Sequence, residues 1–129
     1  MDKNGRTVIG VDDVNENLMI VAAIAEEAGY FFFPVSSGLE CLSLVRRVSP
    51  QLILLDVQMP GINGFETCRR LRQMEGMAAV PVAFLTAKKT MEDLQEGIKS
   101  GGNDFILKPI DRTVLLARMA YWTVRRVRL

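Results

Sequence analysis

Asp12, Asp13, Asp56, Thr86 and Lys108 each stand where a short apolar run stops. Leu52 to Leu55 run without a polar break into Asp56, and Met59-Pro60-Gly61 then forces a turn. Thr7 to Val11 lead into Asp12-Asp13, Val80 to Leu85 into Thr86, and Asp104 to Leu107 into Lys108. Carboxylates with ordinary pKa values near ~4 would all be charged at pH 7, and crowded together they would repel one another. Such a cluster calls for a cation, and hard oxygen donors suit Mg²⁺, which keeps waters and accepts phosphate oxygens. An aspartate beside that charge can act as a nucleophile and accept a phosphoryl group as an acyl phosphate. Asp56, on the most apolar run, is the best nucleophile. Asp12 and Asp13 suit metal ligation, Thr86 hydrogen-bond donation and Lys108 the role of a point charge.

Composition narrows the alternatives. The chain has no histidine, which removes Ser-His-Asp and Cys-His catalysis and histidine-ligated metals. Two cysteines, Cys41 and Cys68, lie inside helical patterns, which fits reduced thiols in a cytoplasmic protein rather than a disulfide scaffold or zinc site. At 129 residues, 49% hydrophobic and 24% charged, the sequence reads as one globular domain with its own core. No apolar run approaches the ~20 residues that span a bilayer, and the polar start carries no signal peptide. The net charge is +1, yet residues 111–129 hold five Arg against one Asp. A basic last helix of that kind usually presents a solvated face.

The elements that must position these residues alternate. Strands are expected over 6–11, 30–35, 51–56, 80–85 and 104–107, each an unbroken or nearly unbroken apolar run. Pro34 assigns the second to a sheet edge. Helices are expected over 14–28, 38–48, 64–74, 90–100 and from Asp111 onward. Ser37 with Glu40, Asn63 with Glu66, and Thr90 with Asp93 supply their starts. The stripes expected to be buried are Leu18, Val21, Ala22, Ala25 and Ala28; then Leu39, Leu42 and Val45, with Cys41 a further candidate; then Met91, Leu94 and Ile98. The last helix has Val114, Leu115, Met119, Trp122 and Val127 among its apolar positions. Arg69, Arg70 and Arg72 are assigned to a wet face. Five β-α units give an α/β fold: a parallel sheet of flavodoxin-like order 2-1-3-4-5 between two helix layers. In that order strands 1 and 3 are neighbours at the switch point, so Asp12, Asp13 and Asp56 share one crevice.

Taken together, Val11-Asp12-Asp13, Leu54-Leu55-Asp56-Val57-Gln58-Met59-Pro60-Gly61 with Gly64-Phe65-Glu66, Phe84-Leu85-Thr86-Ala87, and Gly101 to Pro109 resemble the receiver domain of two-component response regulators. The resemblance covers essentially all of 1–129. It implies that Asp56 takes a phosphoryl group from a sensor histidine kinase or phosphotransfer protein in a Mg²⁺-dependent step. Asp12, Asp13, Asp56 and the Gln58 carbonyl would hold the metal, and the Lys108-Pro109 bond would be cis. It also implies a switch, in which the Thr86 hydroxyl moves inward and the aromatic at Phe105 follows. The fourth helix, fifth strand and fifth helix would be the output face, open to a downstream effector or to a second copy in a homodimer. Gln58 and Lys88 stand at variable positions that influence dephosphorylation in the family. Gly10 and the Gly102-Asn103 pair depart from the family's usual residues.

An aspartate-nucleophile phosphatase of the haloacid dehalogenase type is the rival enzyme reading. It requires a second aspartate two residues after the nucleophile, where this chain has Gln58. No Gly-x4-Gly-Lys-Ser/Thr loop occurs, and no helix-turn-helix lies beyond the five units, so neither nucleotide nor nucleic-acid binding is expected. A receiver-like scaffold acting through protein contacts without phosphorylation is the other alternative, and the intact pocket argues against it. With no effector after Leu129, a stand-alone regulator and a receiver cut from a longer protein both fit the sequence.

Overall fold

The computed structural model describes residues 6–87 and 89–124. Lys88 and Val127 lie outside that range, as does the part of the basic C-terminal stretch after residue 124. Five strands and five helices alternate: β1 (Thr7–Val11), α1 (Asn15–Glu27), β2 (Phe31–Val35), α2 (Gly38–Val48), β3 (Leu52–Asp56), α3 (Gly64–Arg72), β4 (Val82–Thr86), α4 (Met91–Ser100), β5 (Asp104–Leu107) and α5 (Arg112–Val124). All pairings are parallel, in the order β2-β1-β3-β4-β5, which is the flavodoxin-like arrangement expected. Pro34 sits on the edge strand, where its missing amide costs no central ladder bond. Among the described residues, no helix is long and apolar enough to cross a membrane.

Strand periodicity divides the core in two. Ile9, Val11, Ile53, Leu55, Val82 and Phe84 face one layer, where Cys41 and Val45 of α2 and Cys68 and Leu71 of α3 meet them. Val8, Leu52, Leu54, Ala83 and Leu85 face the other, against Val21, Ile24 and Ala25 of α1 and Leu115 and Met119 of α5. Leu52 to Leu55 are all fully buried, each contributing about 1.5–3 kcal/mol by burial. That buried centre is what fixes β3, and with it Asp56.

The helix starts form as their residues dictate. Glu40 N–H donates to Ser37 Oγ (3.1 Å), Glu66 N–H to Asn63 Oδ1 (2.8 Å) and Asp93 N–H to Thr90 Oγ1 (3.1 Å). Several side chains depart from expectation. Leu39 is 60% exposed while Cys41 takes the buried place on α2. On α4, Met91 (68%) and Ile98 (70%) face outward, and Gly97 and Ser100 form the buried contact instead. Helical spacing identifies a stripe but not which way it turns when small residues allow closer packing. Arg72 is not on the wet face. Its guanidinium donates to the carbonyls of Met77, Val80 and Gly101 and to Asn103 Oδ1. A long side chain can leave the exposed face of its helix and reach backbone acceptors at the helix end.

The two departures from family pattern have local reasons. A β-carbon on Gly10 would lie 2.2 Å from Phe32 Cζ, so this chain pairs a glycine with a large ring. Gly102 makes room in the same way for Phe84, and Asn103 Oδ1 accepts from both Val82 N–H and Arg72.

Candidate functional site

Strand pairing delivers the candidate residues to one end of the sheet. Val11 is in register with Leu55, so the next residues, Asp12 and Asp56, emerge side by side from β1 and β3. Thr86 ends β4 in register with Leu107, and Lys108 N–H donates to the Thr86 carbonyl at 2.8 Å. The Lys108-Pro109 peptide is cis. The turn after β3 is held by Gly64 N–H donating to the Val57 carbonyl at 2.8 Å. A β-carbon on Gly64 would approach the Asp56 carbonyl to 2.4 Å, so α3 can start this close only with glycine there.

Lys108 Nζ bridges two carboxylates, donating to Asp56 Oδ1 at 2.8 Å and Asp12 Oδ2 at 3.1 Å. Asp12 Oδ1 accepts from Val14 N–H at 2.9 Å, which fixes its orientation at the head of α1. Asp12 and Asp56 are buried, at 1% and 5% exposure, whereas Asp13 is exposed. Ligand oxygens of Asp12, Asp13 and Asp56 can all lie within 4.8 Å of one another. Burial pushes the Asp56 carboxyl above its usual range, with Asp12 and Asp13 adding to the shift and the Lys108 hydrogen bond opposing it. For Lys108, burial acts to lower the pKa, but its bonds to Asp56 and Asp12 outweigh it and the net shift is upward.

These residues open onto a cleft of about 290 Å³, lined by Asp13, Asp56, Gln58, Thr86 and Lys108 together with Val14. A larger depression of about 850 Å³ lies elsewhere, between the ends of α2 and α3, and holds none of the candidate residues. The small cleft therefore gathers hard oxygen donors, a buried hydroxyl residue and a cation. That donor set fits a divalent ion of the Mg²⁺ type, because among the described residues one ammonium faces three carboxylates and leaves excess negative charge. Phe105 stands apart from the cleft. Its ring packs against Phe84, centroids 5.3 Å apart. Sequence reasoning missed Val14 at the cleft mouth and the contact between Phe105 and Gly97; nothing in their spacing marks either.

Comparison with known proteins agrees with this geometry. Residues 8–120 match the family model described as the response regulator receiver domain. The response regulator PleD of Caulobacter vibrioides is 36% identical over 112 residues, covering 87% of this chain and 25% of PleD. The DNA-binding response regulator MtrA of Mycobacterium tuberculosis is 34% identical over 119 residues, covering 92% of this chain and 51% of MtrA. The chain thus spans from a quarter to about half the length of these curated relatives. Among solved structures, the receiver domain of the Pseudomonas aeruginosa sensor histidine kinase PA1611 superposes with a TM-score of 0.86 at 27% identity, covering 93% of this chain and 98% of that one. That structure carries a magnesium ion coordinated in its active-site cleft.

Proposed function

The chain belongs to the response regulator receiver family of two-component systems, and on that premise we propose that it is a phosphorylation-controlled switch with Asp56 as its acceptor. The observation that carries this reading is the Lys108 bridge to Asp56 and Asp12 within a cluster of three carboxylates. An Asp56 carboxylate oxygen attacks the phosphorus of a phosphohistidine on a sensor kinase or phosphotransfer protein. The O–P bond forms as the P–N bond breaks, and the departing imidazole nitrogen keeps the electron pair and takes a proton. Lys108 neutralises charge on the transferring group, and the Thr86 hydroxyl donates to a phosphoryl oxygen. Asp12, Asp13, Asp56 and the Gln58 carbonyl would hold Mg²⁺, which supplies charge neutralisation at the phosphoryl oxygens when bound.

The raised pKa of Asp56 belongs to the same account. Burial first, and then the charges of Asp12 and Asp13, make its ionised form costly. An acyl phosphate there carries about two negative charges, so Lys108 and a bound Mg²⁺ would have to neutralise it. Hydrolysis of the acyl phosphate returns the resting carboxylate. The whole of 1–129 acts as one receiver unit in the cytoplasm, and its output surface is built from α4, β5 and α5. There Asp104 accepts from Trp122 Nε1 at 2.8 Å and from Arg118 at 2.5 Å, tying β5 to α5. An effector or a second copy would dock on that surface.

The test is intact-mass analysis after incubation with acetyl phosphate and Mg²⁺. One added phosphoryl group, lost with Asp56→Asn and lost with EDTA, is expected. An adduct that survives both controls, or none in the wild type under any donor, would refute the reading.

A further inference from the structure

Gln58 lines the cleft from the loop between β3 and α3. It is exposed, but its neighbours Val57 and Met59 are buried. The loop closes on itself where Gly64 N–H donates to the Val57 carbonyl. Pro60 and Gly61 at its tip face solvent, and a β-carbon on Gly61 would meet nothing within 4 Å. The next residue, Ile62, rests on the first residue of α2. A β-carbon on Gly38 would lie 2.1 Å from Thr67 Oγ1 and 2.8 and 2.9 Å from Ile62 Cγ1 and Cδ1. The start of α2 is therefore pressed against both the loop and the second turn of α3, with no room for a methyl group. Thr67 cannot swing aside cheaply, since it is fully buried and its hydroxyl donates to the Asn63 carbonyl at 2.8 Å.

We infer that Gly38 is a positioning residue for the metal: its bare backbone lets Ile62 and Thr67 lie against α2, and that seat holds the loop so that Gln58 keeps its place at the cleft. The inference rests on the reading of Asp12, Asp13, Asp56 and the Gln58 carbonyl as the Mg²⁺ ligands, and it adds to them a helix that carries none. A methyl group at position 38 would push Ile62 and Thr67 away from α2. Thr67 is tied to the Asn63 carbonyl, and the next residue, Gly64, holds the carbonyl of Val57, so the displacement is delivered to the residue just before Gln58. Asp12 and Asp13 follow β1 and do not move with this loop. Mg²⁺ demands a near-ideal octahedron with ligands at about 2.1 Å, so one ligand shifted by a few tenths of an ångström against the others weakens its hold.

Titrating the whole chain with MgCl₂ and following the amide resonances of Asp13, Val57 and Gln58 gives the dissociation constant that tests this. Gly38→Ala should weaken Mg²⁺ binding about tenfold, the loss expected when a group that orients a metal ligand is disturbed. In a Thr67→Ala background the same change should cost about threefold or less, because the nearest obstructing atom is gone. Ile62→Ala removes the prop without crowding α2 and should also weaken binding. Leu115→Ala, buried in the opposite core layer, loses stability without touching the loop and should keep wild-type affinity. Unchanged affinity in a folded Gly38→Ala protein would overturn the inference; should that protein not fold, unchanged affinity in Ile62→Ala would do so. Equal weakening in Leu115→Ala, or an undiminished cost in the Thr67→Ala background, would overturn it as well, since the effect would then be general destabilisation. A wild-type titration that shifts nothing around Asp12, Asp13 and Asp56 fails the metal reading and this inference together. Wild-type binding that Gly38→Ala leaves intact sinks the inference alone.

Discussion

Replacing Lys108 with methionine removes the ammonium that, among the described residues, pairs with Asp12 and Asp56, while keeping most of the side-chain volume. Both carboxylates are nearly enclosed, with side-chain exposures of 2% and 8%, and Lys108 itself is 21% exposed. Breaking a buried pair from one side typically costs about 3–5 kcal/mol, because the remaining charge has no partner. Proton uptake limits the damage: forcing a carboxylate of pKa near ~4 to accept a proton at pH 7 costs about 4 kcal/mol. Water reaching through the partly open mouth lowers the figure further, so the expected loss is about 3 kcal/mol, or roughly 10 °C in Tm for a domain of this size. Urea denaturation in EDTA at pH 7 measures it. The pH dependence has a definite sign. Carboxyls whose folded pKa lies above the unfolded value penalise the fold above that pKa, and the penalty disappears as pH falls through it. Asp56 is already raised in the wild type, and loss of Lys108 raises it more. The gap between Lys108→Met and wild type should therefore narrow from pH 7 to pH 4, and adding Asp56→Asn should close part of it at pH 7. A variant within about 0.5 kcal/mol of wild type at pH 7 would refute the argument, since the penalty for breaking a buried pair would be missing. A gap that widened on acidification would refute it too.

Arg72→Met should lower the urea midpoint by an amount equivalent to about 2–4 kcal/mol, because it strips donors from three backbone carbonyls and Asn103. A neutral result would mean that water replaces the guanidinium without loss. Cys41 should resist iodoacetamide in the native state at pH 8, since it is fully buried and burial pushes its thiol up to about 12. Mass analysis should show no alkylation until urea is added and then two adducts, one on Cys41 and one on Cys68. Rapid native labelling of Cys41 would contradict its assigned place in the core.

The parallel sheet and the gathering of Asp12, Asp56, Thr86 and Lys108 at one end of it were legible in the sequence, from the β-α alternation and from where apolar runs stop. The lateral order 2-1-3-4-5 came instead from likeness to the flavodoxin-like pattern. A parallel sheet puts every strand's carboxyl end on one side, so residues just after the runs must converge. The contacts of α4 were not legible. Met91 and Ile98 have helical spacing, yet the helix packs through Gly97 and Ser100, and a pattern of large apolar residues cannot reveal a contact made by small ones. Leu39 faces solvent for a similar reason, while Cys41 is buried beside Val45: thiols pack as small hydrophobes. The reach of Arg72 to carbonyls of two loops depends on backbone placed by tertiary structure, which local periodicity does not encode.

The most direct test of the central claim is to locate the phosphoryl group. Protein treated with acetyl phosphate and Mg²⁺ is reduced with borohydride, which converts an aspartyl phosphate to homoserine, and the peptides are sequenced by tandem mass spectrometry. Homoserine at position 56 alone is the predicted result. Homoserine at Asp12, Asp13 or any other carboxylate, with position 56 still aspartate, would contradict it.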